Sequence, residues 1–141
     1  LEVGGVCKIK GTLTADQIEI GGFLEAEEVK VGDIDVGGSV MTKKGVKAES
    51  ISIGDRGRAK GPLIGDDIRI GEKSEVEGLY GRSIHMEERG RAEILHGESI
   101  RIESGCRIQG EVLYIQSLDA EDDVSFAVQP KRVSSLPQPP A

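Results

Sequence analysis

Two histidines, two cysteines and several adjacent acids are the side chains here with chemistry to offer. A catalytic zinc needs about three clustered imidazole or carboxylate ligands and an open position. Only His85 and His96 are available. One falls on an outward-pointing strand position and the other beside Leu95, so they are expected on different faces. Cys7 and Cys106 have neither metal nor redox spacing. They are expected to line the core near opposite ends of the molecule, too far apart for a disulfide. Asp66-Asp67 and Glu87-Glu88 could do acid–base work in a groove, but the turns around them are too short to build groove walls. Thr12, Thr14 and Thr42 are too few for a flat threonine array. No glycine loop leads into a helix to cradle phosphate. No catalytic residue, metal site or cofactor is therefore expected.

What positions these residues is a repeat. The pattern apolar-x-apolar, usually followed by Gly, starts at Leu1, Ile18, Ile34, Ile51, Ile68, Ile84 and Ile100. It returns every sixteen or seventeen residues, the mark of a solenoid. Alternation with β-branched residues indicates strands with one buried face. A second inward pair is expected six and eight residues into each unit, as in Leu24 with Ala26 and Gly57 with Ala59. A third is expected at Leu13-x-Ala15, Val29-x-Val31, Val46-x-Ala48, Leu63-x-Gly65, Leu79-x-Gly81 and Leu95-x-Gly97. Three inward pairs per unit predict an all-β, three-faced parallel β-solenoid of about seven turns, with one further partial turn at Leu113-x-Ile115 or Leu118-x-Ala120. Units this short and rich in Gly cannot hold two helices.

The Gly after the first strand is expected to turn a corner in the left-handed region. Glu87 and Glu103 replace it later, and looser corners are expected there. The expected organisation is a solenoid over 1–118, a cap or last strand over 119–129, and a Pro-rich disordered tail over 130–141.

The outward position between the first apolar pair reads Glu2, Glu19, Asp35, Ser52, Arg69, His85 and Arg101. This stripe runs from acidic to basic. It is either a solvated face or an axial dipole that biases how rods pack side by side. The chain has 18 basic and 25 acidic residues, a net charge of -7, which disfavours nucleic acid as a partner. No apolar run is long enough to cross a membrane as a helix. The cysteine pattern fits a cytoplasmic setting.

Ala15 to Gly21 (Ala-Asp-x-Ile-x-Ile-Gly), Gly65-Asp66-Asp67-Ile68-Arg69-Ile70-Gly71 and Val76-Glu77-Gly78-Leu79 carry a resemblance. With the Pro-rich tail, they look like the bactofilins, polymer-forming cytoskeletal proteins. The resemblance covers roughly residues 1 to 116. It implies a right-handed three-faced β-helix that assembles end to end into nucleotide-independent filaments and scaffolds other proteins, often at a membrane. Family members commonly carry an N-terminal tail, sometimes with a membrane-targeting segment; here the repeat starts at Leu1. They often bury aromatics near the terminal rungs, and Phe126 is the nearest counterpart.

The physical case for assembly is separate. The last rungs of a solenoid expose unpaired backbone groups and an apolar cross-section unless capped. Leu1, Val3, Val112, Ile115, Phe126 and Val128 are the expected polymer contacts. The expected partners are further copies of the chain, as a filament or a dimer, and other proteins bound through the surface or the tail. The alternative function is a capped solenoid that binds proteins and forms at most a dimer.

Overall fold

The computed structural model describes residues 2–139. Every regular element among them is a strand, every pairing is parallel, and the strands stack as the coils of a β-solenoid. Three columns run through it. The first face stacks 2–3, 17–20, 33–36, 50–53, 67–70, 83–86, 99–102 and 117–120. The second carries Val6–Lys8, then 23–26, 39–42, Arg58–Lys60, Arg91–Ala92, Arg107–Ile108 and Ser125–Phe126. Glu75 bridges Arg58 to Arg91 within it. The third begins at 12–15 and ends at Lys131–Arg132.

The core follows from the alternation. Ile18, Ile20, Ile51, Ile53, Ile70, Ile84, Ile100 and their equivalents point inward and are almost wholly buried. Each stacks on its counterpart one turn away, about 4.8 Å off. The third face is as the spacing predicts: Leu13, Val29, Val46, Leu63, Leu79 and Leu95 are in register.

Eight turns are present rather than seven. Ile100 pairs with Leu118, and the register slips between Gly97 and Ser99. That bulge lengthens the step to eighteen residues, so the last turn falls outside the period. The boundary expected at 118 consequently lies inside the strand Val112–Ala120. Residues 125–126 are the second-face strand of the eighth turn. Lys131–Arg132, expected in a disordered tail, pairs with Leu113 and Tyr114.

The corners also differ from expectation. The Gly after the first strand is not left-handed; positive φ occurs instead at Arg56, Lys73, Arg89 and Gly105. Corners fall into two types. In the first three turns a tight Gly-Gly step (Gly4-Gly5, Gly21-Gly22, Gly37-Gly38) joins the first and second faces. From the fourth turn the corner is two residues longer, and in the fourth to seventh turns its third residue is left-handed. Gly54, Gly71, Glu87 and Glu103 all open such corners, each N–H donating to the turn below. The glutamates therefore make no looser turn, because that position needs no special backbone angle. Val40 consequently pairs with Ala59, not Gly57. Gly57, Ser74, Gly90 and Cys106 line the buried inside of the corner. There Ser74 Oγ donates to the Gly54 carbonyl at 2.7 Å and Cys106 Sγ to that of Glu87 at 3.0 Å. Burial pushes the Cys106 thiol pKa up. The two extra residues are recovered before the third face, where the Thr42 to Gly45 bend shortens to Lys60-Gly61-Pro62. Thr42 Oγ1 marks that junction by donating to the Lys60 carbonyl at 3.1 Å.

In the tight corners the second Gly is the strict one. A Cβ on Gly22 would collide with the Gly5 carbonyl, and one on Gly38 with that of Gly22. Gly4 and Gly5 have nothing within 4 Å of an added Cβ. Gly38→Ala is expected to cost about 1–3 kcal/mol of stability through overpacking. Gly5→Ala is expected to leave the dilute chain at least as stable, by up to about 1 kcal/mol. Denaturant unfolding of both variants checks the pair.

Candidate functional site: tips and outer faces

The N-terminal tip is open among the described residues. Val3 is buried, but Cys7, Ile9, Leu13 and Ala15, inward residues of the first turn, are only partly covered. Their second-turn counterparts Leu24, Ala26 and Val29 are buried. Val6 points outward beside Phe23 and is 73% exposed. At the other tip Leu118, Ala120, Val124 and Phe126 pack on the core yet stay partly exposed. Their seventh-turn equivalents Ile100, Ile102, Cys106 and Ile108 are buried.

The expected contact residues fall in different places. Leu1 lies outside the described residues. Val3 is in the first turn. Val112 is fully buried in the seventh turn, one coil short of the tip, because Lys131–Arg132 stacks beyond its strand. Ile115 is half-buried, and its carbonyl accepts from Arg132 Nε at 3.0 Å. Phe126 is an inward residue of the last turn, and Val128 is 50% exposed. Val6 was not anticipated. Its signal is an exposed aliphatic residue in an outward column that reads Phe23 in the second turn and then Ser39, Arg58, Glu75, Arg91, Arg107 and Ser125.

The acidic run 121–123 forms the eighth-turn corner. Asp123 accepts from Ser104 Oγ at 2.6 Å and from the Gly105 N–H at 3.2 Å, which holds its carboxyl below the usual range. The tail does not cross this tip. From Arg132 it turns back along the third face, and Leu136, Pro137 and Pro139 line a concavity of about 440 Å³ with Ala48, Ile64, Gly65, Tyr80 and Gly81. Beneath it runs an outward apolar stripe, Ile64, Tyr80, His96 and Leu113, one residue per turn. Tyr80 and His96 meet edge to face at 5.1 Å. In the third and second turns the same column is Lys47 and Lys30. Both pair with Glu28 of the neighbouring column, at 3.1 Å and 3.6 Å.

The histidines are on separate faces, as expected. His85 Nε2 meets Glu103 at 2.8 Å on the first face, and His96 Nε2 meets Glu111 at 2.9 Å on the third. Cys7 and Cys106 are free. They do not share a column, since Cys7 lies on the second face and Cys106 inside a corner. Among the described residues no group of three or more His, Cys, Asp or Glu is placed to hold a metal, and no helix is long and apolar enough to cross a membrane. No protein-family model matches the chain, and neither does any curated protein or solved structure.

Two outcomes follow. Deleting residues 134–141, or Leu136→Ser, is expected to uncover the apolar stripe. Stability should fall by roughly 1–2 kcal/mol, the scale of partly burying a leucine, and binding of a hydrophobic dye should rise. The Lys47 hydrogen bond lowers the Glu28 pKa, opposed by burial and aided by Lys30. A lowered carboxylate pKa gives stability that is complete above the unfolded value, near 4.5, and is lost as pH falls through the folded one. Glu28→Gln should therefore weaken the fold at pH 7, and the gap to the parent should close in acid unfolding titrations.

Proposed function

We propose that this chain is a non-enzymatic scaffold whose solenoid tips join copy to copy into filaments without nucleotide. The observation that carries this reading is the Gly4-Gly5 step. In the second and third turns the same step is needed because a backbone passes directly beneath the second Gly. In the first turn nothing lies beneath it among the described residues, so the step leaves room for the backbone of one further coil. A coil of a second copy seated on the first turn would occupy that room. It would also cover Val6 and pair the open edge, which otherwise invites another strand.

At the far tip the partly covered Leu118, Val124 and Phe126 offer a second apolar surface, and the tail leads away from it. The capped alternative wanted a lid over residues 119–128; those residues form the eighth turn. The resemblance to bactofilins supports the same reading, with a cytoplasmic setting and further proteins bound along the rod.

Sedimentation and negative-stain microscopy at rising concentration are the test, with no ATP or GTP present. Filaments are expected from the parent chain, and Gly5→Ala or Val6→Asp should shorten or abolish them while the monomer stays folded. A parent that remains monomeric at high concentration would defeat the proposal.

A further inference from the structure

The first face carries a charge pattern that is its own complement. Registers place Glu2, Glu19 and Asp35 in one outward column with Ser52, followed by Arg69, His85 and Arg101. Taken about Ser52 in the fourth turn, the column inverts. Asp35 and Arg69 are one turn either side of it, Glu19 and His85 two turns, Glu2 and Arg101 three. Asp119, in the eighth turn, has no counterpart.

Shape agrees with charge. Over the fourth to eighth turns this face is hollowed into a trough of about 630 Å³. It is hollow because the neighbouring outward column there is mostly serine: Ser50, Ser83, Ser99 and Ser117. The arginines stand beside that row. In the chain itself Arg69 Nη2 is held by Glu87 at 2.6 Å and His85 by Glu103 at 2.8 Å. These pairs fix the two side chains in place, and the Glu87 carboxylate takes up part of the Arg69 charge. Arg69 and Arg101 remain largely exposed.

We propose that the first face binds the first face of a second copy, with the rods antiparallel and related by a two-fold axis along the strands of the fourth turn. That axis sets each column against itself in reverse order, the isologous arrangement of a symmetric dimer. Glu2 meets the partner's Arg101, Asp35 the partner's Arg69, and Ser52 the partner's Ser52. The acidic half of each copy fills the serine-floored trough of the other. One contact opposes the match, since Asp33 faces the partner's Asp67. Charge patterning of this kind sets register and orientation more than affinity. The pairing is lateral and independent of the tips, so it applies to a lone chain or to a filament.

The test uses a Gly5→Ala, Cys7→Ser background, in which tip contacts and the accessible thiol are removed. Ser52→Cys lies on the axis. With a bismaleimide reaching about 10 Å, the spacing of packed sheets, it should cross-link to itself at low salt and not near 1 M, where screening shortens to about 3 Å. Glu19→Cys should not self-link but should link to His85→Cys when the two are mixed. A charge swap gives the second readout. Arg69→Glu/Arg101→Glu and Glu2→Arg/Asp35→Arg should each lose self-pairing at least tenfold and should pair with one another on mixing. Self-linking of Glu19→Cys, absence of Ser52→Cys dimers, or failure of the mixed variants to pair would each overturn the proposal. Tip assembly fails or survives separately, because it is read on the Gly5 parent.

Discussion

Everything in this molecule rests on a turn having a turn beneath it. A single coil of sixteen or seventeen residues cannot bury its own isoleucines or satisfy its own backbone. Both needs are met only by the coil on either side, through parallel ladders that continue around all three faces. The interior is thus a set of columns rather than a globule. Such a design has no natural stopping point except where the columns run out, so the tips differ physically from the body of the rod. Most inward positions that are sealed in the second and seventh turns are half-open in the first and eighth.

The outer surface is divided by the same logic. Outward residues also stand in columns, so one-dimensional patterns in the chain become stripes on the rod. The third face is charged near the N-terminus and apolar from the fourth turn, where the tail covers it. The first face changes sign along its length. The tail therefore takes one face out of contention for association while leaving the tips and the first face available.

The first and third faces were legible because their inward residues recur at a nearly constant interval and are large. The outward stripe was legible for the same reason. The second face was misread by two residues from the fourth turn onward. Its corner gains two residues and the following bend loses them, so the overall period hides the exchange. Small residues on both sides, such as Gly57 and Ala59, gave no contrast in size to reveal it. The eighth turn was legible only as one of two places for a partial turn, Leu118-x-Ala120, because a bulge before Ser117 breaks the interval. Val6 and Gly5 could be recognised as unusual only once the stacking was known, which leaves the space under Gly5 open among the described residues. The tail's course had no periodic signal at all; proline content announced an extended chain but not where it would rest.

The change of corner between the third and fourth turns divides an apparently uniform rod into two dialects. A coil of the Gly-Gly kind offers its neighbour a flush backbone, whereas the longer kind offers a shelf held by a left-handed residue and a carbonyl awaiting Ser74 or Cys106. Whole coils are therefore interchangeable only within their own group. A lineage could lengthen or shorten this rod by duplicating or losing a coil on either side of the seam, but a coil carried across it would arrive with its inward residues two places out of step.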